Sequence, residues 1–92
     1  MTLKEKIGIA TKLIKKSMEL KYTAGHDVFV EWGAHVEWII VRAFTGPWKI
    51  DKEGIVFEVD MRYASSARKT YKEVMDYLNN LEKTSESKAQ NG

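Results

Sequence analysis

The sequence contains no cysteine, only one proline and no long hydrophobic run. The lack of cysteine excludes a disulfide scaffold and a thiolate metal site, and it is typical of the reducing cytoplasm, where we expect the protein to act. The longest apolar run, residues 38–41, is far too short to span a membrane, and the early charges of residues 1–10 predict no signal peptide. A chain of 92 residues predicts one domain with a small core.

Excess charge of one sign is also small, since the net charge is only +2, but the charges are unevenly distributed. Residues 1–26 carry six lysines and two glutamates, whereas residues 27–60 carry three basic and seven acidic residues. Residues 61–92 carry six basic and four acidic residues. The segments that we expect to be helical are therefore basic and the segments that we expect to form strands are acidic, so their surfaces favour different partners.

Apolar residues at three- and four-residue steps predict a first helix over residues 3–21 that packs on a sheet. The apolar arc covers about half of the helix circumference, which is wide enough for a second contact, such as a dimer partner. Lysines are expected on the opposite, solvated side. The apolar positions are Leu3, Ile7, Ile9, Ala10, Leu13, Ile14, Met18 and Leu20.

Three β-rich runs follow, at about residues 27–32, 36–44 and 55–62, and in the third, inward apolar residues alternate with outward residues that are all charged except Val56. A three-residue loop over residues 33–35 would pair Val30 with Trp38 and place both on the inner face of the sheet. A two-residue loop would bury Glu37 beside Val30, and the cost of an unpaired carboxylate favours the longer loop.

A second amphipathic helix begins after residue 64 and ends near residue 83. The sequence therefore predicts an α+β fold, α-β-β-β-α, in which a three-stranded antiparallel sheet carries two helices packed on one face. We expect residues 1–83 to form this domain and the polar residues 84–92 to form a disordered tail.

Signatures of catalysis or of metal binding are lacking. His26 adjoins Asp27 and His35 lies near Glu37, but neither pair has the spacing of a known metal site. The glycines match neither a phosphate-binding loop nor a dinucleotide fingerprint, and the strand carboxylates alternate onto an open face that gives no reason for a shifted pKa. We therefore expect a protein that is not an enzyme and that needs no cofactor or metal.

The outer face of the predicted sheet is the leading candidate for function. Apolar side chains ringed by carboxylates would form an exposed patch there, and such patches on small proteins often mark contacts. The carboxylates favour a protein partner with a basic surface, Trp48 on the adjoining loop is a residue type that often dominates binding energy, and a homodimer would use the same face. The candidate protein-binding residues are Phe29, Glu31, Glu37, Ile39, Val41, Trp48, Val56, Glu58 and Asp60.

Basic residues on the two helices support an alternative function, the binding of nucleic acid. The element order, the loop Gly33-Ala34-His35 and the segment 66–69 (Ser-Ala-Arg-Lys) resemble the double-stranded RNA-binding domain. That resemblance implies contacts to RNA from helix one, from the loop between strands one and two, and from the start of helix two. The candidate nucleic-acid-binding residues are Lys12, Lys15, Lys16, His35, Arg62, Arg68, Lys69 and Lys72.

The leading hypothesis is thus a small non-enzymatic module that binds another protein. In size, lack of cysteine and charge pattern the chain is similar to phage-encoded inhibitors, including anti-CRISPR proteins, and to immunity proteins. This similarity implies an inhibitor that acts by occupying its partner's surface.

Overall fold

The computed structural model describes residues 1–91, and the side chains of residues 1–83. Within that range the chain forms an α+β fold with a three-stranded antiparallel sheet in the order β1-β2-β3, as the sequence predicts. The tail expected at residues 84–92 lies outside the residues whose side chains are described. No helix of residues 1–91 is long and apolar enough to cross a membrane. The elements are α1 (Leu3–Ala24), β1 (Val28–Gly33), β2 (Trp38–Ala43), β3 (Ile55–Asp60) and α2 (Ala64–Asn91).

Both ends of α1 are capped by local hydrogen bonds. The Thr2 hydroxyl accepts a hydrogen bond from the Glu5 backbone N–H at 3.1 Å, which satisfies one free donor of the first turn. At the other end Gly25 adopts a left-handed conformation with φ 73°, and His26 N–H donates to Leu20 C=O at 3.1 Å. These bonds end the helix and turn the chain directly into β1.

The core lies between the inner face of the sheet and the two helices. α1 packs against β1 and α2, while α2 packs against β3. Alternate residues of each strand point toward the helices, as the two-residue period of a strand requires. The largest fully buried side chains are Leu13, Leu20, Ile39, Val41, Val59, Val74 and Leu78.

The loop between β1 and β2 is one residue longer than expected, and the predicted pairing is therefore wrong. Val30 pairs with Val41 instead of Trp38, and the loop covers residues 34–37. Glu37 adopts a left-handed conformation with φ 52°, its carbonyl accepts a hydrogen bond from Met61 N–H at 2.9 Å, and its carboxylate lies 3.7 Å from Lys6 Nζ. Glu37 thus leaves the sheet, and the buried carboxylate that argued against a two-residue loop does not arise in the observed four-residue loop.

The new register exchanges the two faces of β2. Ile39 and Val41, which we expected on the outer face, are buried beneath the helices, with 1% and 0% of their surface exposed. Trp38 and Ile40, which we expected inside, lie on the outer face. The exchange follows because the partner of Val30 lies three residues further along β2 than expected, and a shift by an odd number of residues turns every side chain to the other face.

α1 is rotated relative to the orientation that the sequence suggested. Ile9, Leu13 and Leu20 are buried, and so is Lys16, which we expected among the solvated lysines. Four apolar residues of the predicted buried arc are instead about half exposed or more. They are Leu3, Ile7, Ile14 and Met18.

Candidate functional site

The outer face of the sheet is open to solvent and consists of three cross-strand rows. Antiparallel pairing places side chains of β1, β2 and β3 next to one another on the same face. Arg42 occupies the middle position of the first row, and Ile40 occupies that of the second. The rows are Phe29–Arg42–Val56, Glu31–Ile40–Glu58 and Gly33–Trp38–Asp60.

An aromatic cluster extends the first row beyond the sheet. The ring of Phe29 meets the ring of Phe44 edge to face, with centroids 5.8 Å apart and planes at 88°. On its other side Phe29 meets Trp48, with centroids 6.5 Å apart and planes at 78°. Edge-to-face pairs of this kind stabilise by about 0.5–1.5 kcal/mol beyond the area that they bury. Phe44 is buried, whereas Phe29 and Trp48 are 41% and 49% exposed.

The loop that carries Trp48 is held against the start of β1 by backbone groups. Trp48 N–H donates to Asp27 Oδ2 at 2.7 Å, and Gly46 N–H donates to the buried His26 Nδ1 at 2.7 Å. Asp27 N–H also donates to the Gly46 carbonyl at 3.1 Å. The indole is therefore positioned before any partner arrives, which lowers the entropic cost of binding.

We call the three hydrogen bonds that join residues 26–27 to residues 46–48 the loop clamp. The Asp27 carboxylate is the acceptor for Trp48 in this clamp, and the groups that donate to the carboxylate set its pKa. Lys21 Nζ donates to Asp27 Oδ1 at 2.7 Å, and the Trp48 amide donates to the other oxygen. Both donors favour the ionised carboxylate and hold the pKa of Asp27 below its ordinary value, Lys21 with the larger effect.

We expect the backbone amide resonance of Trp48 to titrate with a midpoint below about pH 3.9, the ordinary pKa of an aspartate. Because the folded-state pKa is lowered, the clamp contributes stability above that ordinary value and loses it as the pH falls through the folded-state pKa. The measurement is a pH series of ¹H–¹⁵N spectra. Asp27→Asn is the control and should abolish the titration, while a wild-type midpoint at or above 3.9 would contradict the clamp.

A cleft of about 270 Å³ lies beside the aromatic cluster and is lined by Phe29, Glu31, Arg42, Phe44 and Trp48. Arg42 lies 3.4 Å from the Glu31 carboxylate, and both side chains are about half exposed. The cleft thus combines apolar walls with one cation and one anion at its rim. This arrangement suits an apolar or aromatic anchor from a partner, flanked by polar contacts.

The structure brings together six of the nine predicted protein-binding residues. Glu37 lies in the turn beside Lys6, and Ile39 and Val41 are in the core, so these three do not contribute. The outer face is less acidic than we expected, because Arg42 pairs with Glu31 and Arg62 pairs with Asp60. The six that lie on or beside the outer face are Phe29, Glu31, Trp48, Val56, Glu58 and Asp60.

Sequence reasoning missed Phe44 and Arg42 as members of the site. The alternation of β2 places Arg42 outward only once its register is known, and that register depends on the length of the preceding loop. Phe44 follows the last residue of β2 and would be assigned to either face for the same reason.

The predicted nucleic-acid-binding residues do not form one free basic surface. Lys16 is buried and ion-paired with Glu82, and Arg68 donates to both oxygens of Glu5 at 2.6 and 3.0 Å, which raises the pKa of its guanidinium and lowers that of Glu5. Three more are paired with carboxylates, while Lys12, His35 and Lys69 are exposed. The three additional pairs are Lys15 with Glu19 at 3.9 Å, Arg62 with Asp60 at 2.8 Å and Lys72 with Asp76 at 3.3 Å.

The two histidines lie in different environments. His26 is buried in the loop clamp, and His35 is exposed in the turn between β1 and β2. Among the described residues no three side chains of the metal-ligating types come together.

Comparison with known proteins gave no match: no family model, no curated protein and no solved structure matches the chain. The resemblance to the double-stranded RNA-binding domain therefore rests on element order and two short segments alone.

Proposed function

We propose that this chain is a protein-binding module whose contact surface is the outer face of the sheet together with the Trp48 loop. The observation that carries the proposal is the aromatic cluster of Phe29, Phe44 and Trp48, which is held in place by Asp27 and His26 yet leaves two rings half exposed. Rigid, partly exposed aromatic residues beside a cleft are the groups that most often dominate protein–protein affinity.

The charges around the cluster favour a partner with a basic contact surface. Glu31 and Glu58 flank Ile40 in the middle row, and both carboxylates are exposed. Arg42 offsets part of this charge, so we expect the partner to place cations opposite Glu58 in particular. The narrower form of the proposal is an inhibitor that acts by covering such a basic surface, as expected from the chain's size and charge pattern.

We expect Trp48→Ala and Phe29→Ala each to weaken partner binding by about 30-fold or more, since hot-spot truncations cost about 2 kcal/mol or more. The partner is first captured with the immobilised wild-type chain and identified by mass spectrometry, and its affinity for purified variants is then measured by calorimetry. Ile50→Ala is the matched control, because Ile50 lies in the same loop and is 90% exposed. It should change the affinity by less than about threefold.

The nucleic-acid alternative makes a different prediction, which variants of the helices test. If duplex RNA at low salt shifts the resonances of Lys12 and Lys69, and if Arg68→Ala with Lys69→Ala removes that effect, the helices carry the function. Unchanged partner binding in Trp48→Ala and Phe29→Ala would likewise overturn the proposal.

A further inference from the structure

α1 carries a second apolar stripe on the side away from the core. We define the α1 stripe as Leu3, Ile7, Ile14 and Met18, which are 71%, 55%, 48% and 57% exposed. At 100° per residue its centre lies about 130° around the helix from the buried residues Ile9, Leu13 and Leu20. A helix of a single globular domain needs one apolar face, so a second one points to a further contact.

The neighbours of α1 show that most of this stripe faces neither the sheet nor α2. Glu5 and Lys16 reach α2, through Arg68 and Glu82. On the other flank, Lys6 reaches Glu37 in the loop before β2, and Lys21 reaches Asp27 just before β1. The stripe lies beyond this second flank except at its C-terminal end, where Met18 lines a cleft with Phe29.

We propose that the α1 stripe is the interface of a homodimer, in which α1 of a second copy packs against it in antiparallel orientation. The spacing of the stripe is symmetric about the point between Ala10 and Thr11. A two-fold axis through that point brings Ile7 of each copy to Ile14 of the other, as an isologous contact requires. By the same symmetry, Leu3 of each copy meets Met18 of the other.

Small residues at the centre allow the two helices to approach closely. Ala10 and Thr11 lie at the axis, where larger side chains would hold the helices apart. The contacts then extend over about four helical turns in total, a length of roughly 23 Å at 1.5 Å per residue.

The exposed apolar area is sufficient for a weak dimer. The four side chains of the α1 stripe are each about half exposed or more and present on the order of 450 Å² of apolar surface. Two copies would bury roughly 900 Å² through the stripe, which is the size of a weak, transient interface. We therefore expect a reversible dimer with a dissociation constant in the micromolar range.

The charges around the stripe are compatible with contact between two identical surfaces. α1 has an excess of lysines, but three of those that flank the stripe have carboxylate partners in the same chain. This pairing reduces both the repulsion between two copies and the attraction to an anionic membrane, the other surface that a basic amphipathic helix can bind. The pairs are Lys6 with Glu37 at 3.7 Å, Lys15 with Glu19 at 3.9 Å and Lys21 with Asp27 at 2.7 Å.

The test is sedimentation equilibrium of the full chain from about 1 to about 200 µM, the range around the expected dissociation constant. The wild type should pass from monomer to dimer, and Ile7→Lys with Ile14→Lys should weaken the dimer by at least 100-fold, because four lysines would enter one apolar interface. Ile50→Lys, an equally drastic change at a site far more exposed, should leave the dimer unchanged. Circular dichroism confirms that the variants fold.

A cross-link provides a second readout, since the chain has no cysteine of its own. Thr11→Cys lies at the proposed axis and should form an intermolecular disulfide on mild oxidation, whereas Lys69→Cys on α2 should not. A monomer throughout the concentration range would overturn the proposal. So would a dimer lost in Val56→Lys, which lies on the outer sheet face, or a monomer that sediments with vesicles of phosphatidylcholine and phosphatidylglycerol.

This inference does not depend on the proposed function, because it rests on the α1 stripe, of which only Met18 borders Phe29 of the outer sheet face. A dimer through α1 leaves the outer sheet face of each copy exposed and presents two aromatic clusters. Such a bivalent module gains affinity for a partner that displays two sites, provided that the spacing allows both to bind.

Discussion

Ile39→Ala will lower the free energy of unfolding by about 2–5 kcal/mol, the range measured for truncating large aliphatic side chains in cores. Ile39 is 1% exposed in the central strand, and its cross-strand neighbour on β3 is the fully buried Val59. A domain of this size has a small core, so the remaining side chains have little freedom to fill the cavity. Urea unfolding monitored by circular dichroism measures the change.

The next residue along the strand is the control. Ile40→Ala removes the same atoms from the outer face, and we expect a loss of about 1 kcal/mol or less. The contrast tests the register itself, because the pairing expected from sequence would reverse the two results. A larger loss at Ile40 than at Ile39 would show that Val30 pairs with Trp38 after all.

The architecture follows from the sequence because its periodicities are clear. Strict alternation of apolar and charged residues from residue 57 onward specifies β3, and the three- and four-residue steps of α1 and α2 specify helices regardless of how they pack. The sequence could not show which side chains of β2 point toward the helices. Residues 38–41 are all apolar and do not alternate, so the inward face depends on the register that the preceding loop sets. In that loop Glu37 adopts a left-handed conformation that no sequence pattern indicates.

The rotation of α1 could not be predicted for a related reason. Its apolar arc is too wide to point in one direction, and Lys16 lies inside the buried part. A lysine reads as solvated in a sequence, but an acidic residue 66 positions away, Glu82, provides its partner. Such a pair becomes visible only when both helices are in place.

Part of the candidate site could likewise be predicted from the sequence, and part of it could not. The sequence predicted Trp48 from its residue type on a loop and Phe29 from the alternation of strand one. The clamp that positions Trp48 uses His26 and Asp27, which are 20 and 21 residues away from the groups that they bind. The sequence presented them only as a histidine beside an aspartate without the spacing of a known metal site, and it gave no sign that the two residues support a loop.

Gly54→Ala will destabilise the domain and disturb the candidate site together. A Cβ atom at residue 54 would lie 2.7 Å from Phe44 Cε1, which is closer than Cβ atoms approach other atoms in proteins, and 3.0 Å from the Ala43 carbonyl oxygen, which is tighter than most such contacts. The Phe44 ring is buried and packed edge to face on Phe29, and the carbonyl belongs to β2, so neither neighbour moves freely. Overpacking of this kind costs about 1–3 kcal/mol.

Gly8→Ala should have the opposite sign, and this contrast makes the prediction specific. Gly8 lies within α1, and a Cβ atom there meets no other atom within 4 Å, so alanine should stabilise the helix by up to about 1 kcal/mol. Chemical denaturation compares the two variants, and ¹H–¹⁵N spectra follow Phe29 and Trp48. Because the rings are coupled by contact, displacement of Phe44 must reach both resonances in Gly54→Ala and neither in Gly8→Ala. If Gly54→Ala instead leaves stability and spectra unchanged, Phe44 can move without cost, and the aromatic cluster lacks the rigidity from which its binding role is argued.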